Sequence, residues 1–169
     1  ALLTAVGPMS VDLYLPSLPE LGRAFGASVP QVQLTLSGYL LCFAIGQIVF
    51  GPISDHVGRK PVLLTGLATF AVASVAAATA GSATVILLAR LLAGAGAAMI
   101  MPVTLSVVTS SFPADKRANA IGVWAGFAGA GGILGLFFSA AMVDWVTWRW
   151  VFAMPLVLMS PLAFLSRPS

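Results

Sequence analysis

Gly51-Pro52-Ile53-Ser54-Asp55-His56-Val57-Gly58-Arg59-Lys60 is a polar string set between two apolar windows, near 32–53 and 62–80. Gly51 permits close packing where the first window ends, Gly58 permits a tight turn, and Asp55 and Arg59 form a short charge array. An acid there can interact with a helix N-terminus, where the macrodipole is positive. His56 has no second His or Cys nearby, so the string is not a metal site. Outward from it lie further apolar windows near 1–21, 84–108, 120–143 and 150–166, six windows in all. A helical span needs about 20 apolar residues to cross a hydrocarbon core ~30 Å thick. The pattern therefore predicts an all-α membrane protein, with residues 1–169 forming one bundle of six transmembrane helices joined by short loops.

Composition excludes most alternatives. The chain is 59% hydrophobic and 8% charged, where a soluble domain carries about a quarter charged residues. Seventeen Gly and 11 Pro lie within apolar runs, which suits membrane helices better than soluble ones. The net charge of +3 does not indicate a nucleic-acid partner, because Lys and Arg stand singly or in pairs and not on one face. A lone Cys42 can form neither an intramolecular disulfide nor a multi-thiolate metal site, and no cofactor is implied. The chain opens Ala1-Leu2-Leu3 with no basic leader, and reads as starting inside its first span.

Basic residues set the orientation. Arg59, Lys60, Lys116, Arg117 and Arg167 fall in alternate loops, against Arg23 and Arg149 on the other side. The positive-inside rule makes the first side cytoplasmic and places the N-terminus there. Trp145, Trp148 and Trp150 fall at the opposite surface, where indole rings are expected as anchors. In the fifth span, Gly122, Gly126 and Ala130 form one small-residue stripe, and Gly131, Gly135 and Ser139 another. At 100° per residue the two stripes lie on opposite faces, predicting a close neighbour on each side.

Two charged residues fall well inside apolar windows. Each costs roughly 2.5–3.5 kcal/mol at a helix centre on insertion scales. Asp12 is about ten residues before Gly22-Arg23, a depth of ~15 Å at ~1.5 Å per residue. A helix ending at Pro16 would instead leave it one turn from water. Arg90 is six residues into the fourth span, ~9 Å deep, within reach of the outer surface by snorkelling.

Gly51–Lys60 is similar to the loop between spans two and three of the major facilitator superfamily, G-x-x-x-D-x-x-G-R-K/R, with Gly51, Asp55, Gly58, Arg59 and Lys60 at the motif positions. GPMSVDLYLPSLPEL, residues 7–21, resembles the first span of its drug:proton antiporters, closest to the bicyclomycin and chloramphenicol resistance (Bcr/CflA) type. Arg90 with Gly94, Gly96, Ala97 and Ala98 resembles the fourth-span motif R-x-x-q-G-x-g-a-a, and Trp148-Arg149-Trp150 resembles the W-R-W start of span six. Ala93 stands where many relatives have Gln. The fifth-span antiporter motif, g-x-x-x-G-P-x-x-G-G, aligns on Gly131, Gly135, Leu136, Ser139 and Ala140, without its Pro and final glycines.

The resemblance implies the N-terminal six-helix half of a twelve-span transporter in the bacterial inner membrane, with a C-terminal half outside this chain. It implies efflux of drug-like small molecules in exchange for protons by alternating access, and no enzymatic activity. Asp12 and Arg90 are then the expected proton-coupling pair, since burial disfavours a charged carboxyl and a nearby cation favours it. Asp55 is expected to meet a helix terminus of the second half. Tyr14, Tyr39, Gln47 and Met101 are the candidate cavity-lining groups, chosen as aromatic, amide and thioether side chains within spans. A metabolite permease shares the fold and the Asp55 loop, and an inactive or truncated half-transporter is a further alternative. An intramembrane hydrolase would need a buried nucleophile and base, and the only His is in a loop.

Overall fold

A computed structural model describes residues 2–165; Arg167, counted above on the basic side, lies outside them. The first apolar window is a broken helix. A 3-10 turn, Leu2–Ala5, leads into α1 (Val6–Tyr14), a second 3-10 turn spans Leu15–Ser17, and α2 runs Leu18–Phe25. Pro16 has no N–H for the carbonyl four residues back, and the chain tightens there, with the Ser17 hydroxyl donating to the Tyr14 carbonyl at 2.7 Å. The helical path continues past Pro16 to Phe25, so Asp12 lies midway along it rather than at its end. Gly26, at φ +61°, stops α2 in the left-handed conformation that glycine adopts without a steric penalty.

α3 (Val29–Val57) opens on a capping box in which the Ser28 N–H donates to Gln31 Oε1 at 2.9 Å. Gly58, at φ +102°, makes the expected tight turn into α4 (Arg59–Ala78). α5 (Ala83–Ser111) is capped by the Ser82 hydroxyl, which accepts from the Val85 N–H. α6 (Ala114–Trp145) and α7 (Arg149–Leu165) complete the bundle. α3, α4, α5 and α6 are each long and apolar enough to cross a membrane; the first and last windows are the broken helix and the shorter α7. Large apolar side chains such as Ile48, Ile133 and Phe137 point outward, as they do where the surroundings are lipid or another apolar surface.

α5 is the hub, with α3 and α4 packed along it, while α1 packs on α6 and α7 on α4. In lipid, helices gain little from the hydrophobic effect and associate through close van der Waals contact, which small residues permit. A Cβ placed on Gly96 would lie 2.8 Å from the Phe70 backbone nitrogen and 2.9 Å from the Gly66 carbonyl of α4. One on Gly94 would collide with the Tyr39 carbonyl of α3. The two motif glycines thus bring α5 against two neighbours at once.

The first span and α6 run parallel in a single register. Gly131 meets Ala5, Gly135 meets Met9, and the Ser139 hydroxyl donates to the Leu13 carbonyl. Successive contacts advance four residues on both helices, so one small-residue stripe of α6 is a continuous seat for the first span. Ala140, next to Ser139, is exposed. The expected neighbour on the other face is absent from the described residues, since nothing lies within 4 Å of a Cβ built at Gly122 or Gly126. Gly51 likewise has no such neighbour, so the close packing expected there is not formed among the described residues.

The tryptophan expectation needs one correction. Trp145 and Trp150 are exposed, but Trp148 is 6% exposed and packs edge-on against Phe25 and Phe152. Beside it, Arg149 donates to the Ala78 carbonyl at 2.7 Å and draws the α7 start onto the C-terminal end of α4.

Gly135→Val should destabilise the purified chain by about 1–3 kcal/mol through overpacking, while Gly126→Val, on the open face, should leave it within about 0.5 kcal/mol. Thermal unfolding in detergent compares the two.

Candidate ion-coupling site

Arg90 lies on the α5 face that meets α1 and α3, and its guanidinium is enclosed rather than snorkelled: the residue is 2% exposed. Its central carbon sits 4.3 Å from the Tyr14 ring centroid and 4.2 Å from that of Tyr39. Cation–π attraction is worth ~2 kcal/mol or more when the pair is desolvated, so two rings substantially offset the cost of burying the charge. Nη1 donates to the Ser10 hydroxyl at 3.1 Å. Nε and Nη2 are buried with no hydrogen-bond partner among the described residues.

Each ring is fixed in turn. The Tyr14 and Thr35 hydroxyls share a hydrogen bond, and Tyr14 packs on Phe152 at 5.7 Å between centroids. The Tyr39 hydroxyl donates to the Gly7 carbonyl at 3.4 Å, and its ring stacks on Phe43. Tyr14 and Tyr39 are both fully buried, engaged with Arg90 rather than open to a cavity. Gln47 and Met101 are half-buried.

Asp12 is not among the partners of Arg90. Ser10 and Tyr14, four residues apart, share the α1 face that meets Arg90, and Asp12 lies two residues from each, about 200° around the helix. Its carboxyl faces α6, where a Cβ built on Gly132 would collide with Oδ2. Asp12 is half-buried in this notch and makes no hydrogen bond or ion pair among the described residues. The acid and the base expected to pair are therefore separated by the body of α1.

Sequence reasoning missed Ser10, Thr35 and Gly132. The four-residue spacing of Ser10 and Tyr14 was readable as one face, but the arrival of α5 on it was not. Gly132 sits one residue from an aligned motif position and draws its role solely from the placement of Asp12.

At the other end of the bundle, Asp55 is in the last turn of α3 and exposed. An acid there opposes the dipole of its own helix, which favours cations at the C-terminal end. Arg59, the first residue of α4, is equally misplaced for its own dipole, and donates instead to the Ser106 carbonyl (3.2 Å) and Ser110 hydroxyl (2.6 Å) near the C-terminal end of α5. Arg59 and Asp55 thus do not pair with each other. Lys60 is exposed beside them. No cluster able to hold a metal ion occurs among the described residues.

These features define a polytopic helical membrane protein whose buried polar groups converge where α1, α3 and α5 meet. The chain belongs to the major facilitator superfamily, whose sequence profile matches residues 1–168. It is 35% identical over 146 residues to a chloramphenicol resistance protein of Pseudomonas aeruginosa, covering 86% of this chain and 35% of that one. It is 35% identical over 155 residues to a tetracenomycin C resistance and export protein of Streptomyces glaucescens, covering 89% and 29%. Against multidrug resistance protein D of Escherichia coli K12 the figure is 39% over 95 residues, covering 56% and 24%. The chain thus spans about a third or less of the length of these relatives.

Tyr39→Leu should lower stability by about 1–2 kcal/mol, because the ring over the guanidinium is lost, whereas Tyr39→Phe, which keeps the ring, should cost less than half as much. Equal losses would show that the hydroxyl, and not the ring, matters.

Proposed function

We propose that this chain is the N-terminal half of a proton-coupled multidrug efflux transporter of the bacterial inner membrane, with Asp12 as its proton-carrying group. Three relatives named for resistance or export support the efflux of drug-like molecules. Asp12 carries the proton assignment: it is an ionisable group within the first apolar window, unpaired among the described residues, and seated against the backbone of a neighbouring helix.

Such a carboxyl differs in its preference for an apolar notch according to its protonation. Neutral, it fits beside Gly132 without a charge penalty; ionised, it favours a conformation that admits water. A proton taken up outside therefore stabilises one packing of α1 on α6, and its release inside allows the other. Cargo binding to the alternate state completes exchange, driven by the differential affinity of proton and cargo for the two states. The charge of Arg90, held on the opposite face of α1, is a fixed feature of this cycle, and the two groups communicate through movement of α1. Gln47 and Met101 are proposed to line the cavity between halves, with Tyr14 and Tyr39 acting on it through Arg90. Asp55, set against its own helix dipole, is proposed to meet a helix N-terminus of the second half, and the basic side of the bundle to face the cytoplasm.

In the complete transporter, with chloramphenicol as test cargo, Asp12→Asn should abolish cargo-gradient-driven proton movement. Undiminished, pH-sensitive exchange would remove Asp12 from the role. Gly132→Ala, which forces the carboxyl out of its notch, should slow exchange and displace its pH profile while leaving the fold intact by circular dichroism.

A further inference from the structure

A small cavity of about 10 Å³ lies beside Arg90, enclosed by α1, α4, α5 and α7. Its polar lining is Ser10, Ser74 and Arg90; small side chains, among them Ala77 and Ala93, leave the space open, and Phe152 forms part of the wall. A water molecule needs about 10–15 Å³ measured in this way, together with two to four polar partners. The space admits one water, and is too small for an organic ligand.

The chemistry of the wall matches that occupant. Arg90 is fully buried, and its Nε and Nη2 have no protein acceptor among the described residues. A guanidinium offers donors only, so whatever satisfies them must accept. The two serines offer hydroxyl oxygens that accept in turn; Ser10 already takes one hydrogen bond, from Nη1, and with the Tyr39 O–H directed to the Gly7 carbonyl its own O–H donates to Tyr39 and a second lone pair stays free. A molecule that accepts from the guanidinium and donates to hydroxyl oxygens is what this wall requires.

We propose that this cavity is a structural hydration site, in which one buried water accepts from the free guanidinium edge of Arg90 and donates to Ser74 and Ser10. The water adds to the coordination begun by the two tyrosine rings: the rings lie against the guanidinium, Ser10 accepts from Nη1, and the water accepts from the edge formed by Nε and Nη2. It links α4 to the α1–α5 contact through Ser74 and gives a cation without a carboxylate partner among the described residues a further acceptor. Ser74 is a positioning residue for Arg90 in this arrangement, acting through the water. The assignment is independent of whether Asp12 carries protons.

The test rests on the sign of a substitution that fills the space. If the cavity is a dry void, Ser74→Val improves packing and the unfolding temperature in detergent holds or rises. If it holds the water, the same change expels it and strands buried donors, at a cost that lowers the unfolding temperature by about 3 °C or more. Repeating the substitution in an Arg90→Met background removes the donors and separates hydration from steric strain. We expect Ser74→Val to lower the unfolding temperature in the native chain, and to lower it by less than 1 °C, or raise it, in the Arg90→Met background. An unchanged or raised temperature in the native chain, or an equal fall in both backgrounds, overturns the proposal.

Discussion

A guanidinium enclosed in an apolar bundle must have its faces and its edges occupied, and the arrangement of α1, α3 and α5 follows from that demand. Cation–π contacts act over only a few ångströms, so Tyr14 and Tyr39 can cover Arg90 only if their helices approach α5 closely. Gly94 allows this on the α3 side, where its missing side chain leaves room for the Tyr39 carbonyl. The same contact extends outward. Tyr14 rests on Phe152, Phe152 on Trp148 and Trp148 on Phe25, so an aromatic column connects the buried cation with the end of the bundle at which α2 closes and α7 begins.

α1 carries different chemistry on its two sides. One side presents Ser10 and Tyr14 to Arg90; the other presents Asp12 to the small-residue seat on α6. Had acid and base formed a buried ion pair, each would have held the other's charge state, and separating them would have carried a cost of several kcal/mol. Divided by a helix, Arg90 is held by Ser10 and the two tyrosine rings while Asp12 is left without a counter-ion among the described residues.

Helix ends are joined by a repeated device. Arg59 begins α4 and binds near the C-terminal end of α5; Arg149 begins α7 and binds at the C-terminal end of α4. Each cation is unfavourable at the positive end of its own helix and favourable at the negative end of a neighbour. The charges at these turns therefore orient helices relative to one another, at opposite ends of the bundle.

The sequence alone determined that this is a helical membrane protein with six apolar segments, because an excess of apolar residues in windows of membrane length has few other solutions. It also marked Gly58 as a turn, Asp12 and Arg90 as ionisable groups within apolar windows, and the Gly131–Gly135–Ser139 stripe as a packing face, since each is a local property of residue type and helical period. Only the tertiary structure decided which groups meet. Arg90 turns inward to two tyrosines rather than outward to the surface, Trp148 enters the core while its neighbours stay exposed, and Asp12 faces Gly132 instead of Arg90. Periodicity fixes the face of a helix on which a side chain lies; the neighbour it finds there depends on how residues far apart in the chain are brought together, and no local pattern encodes that.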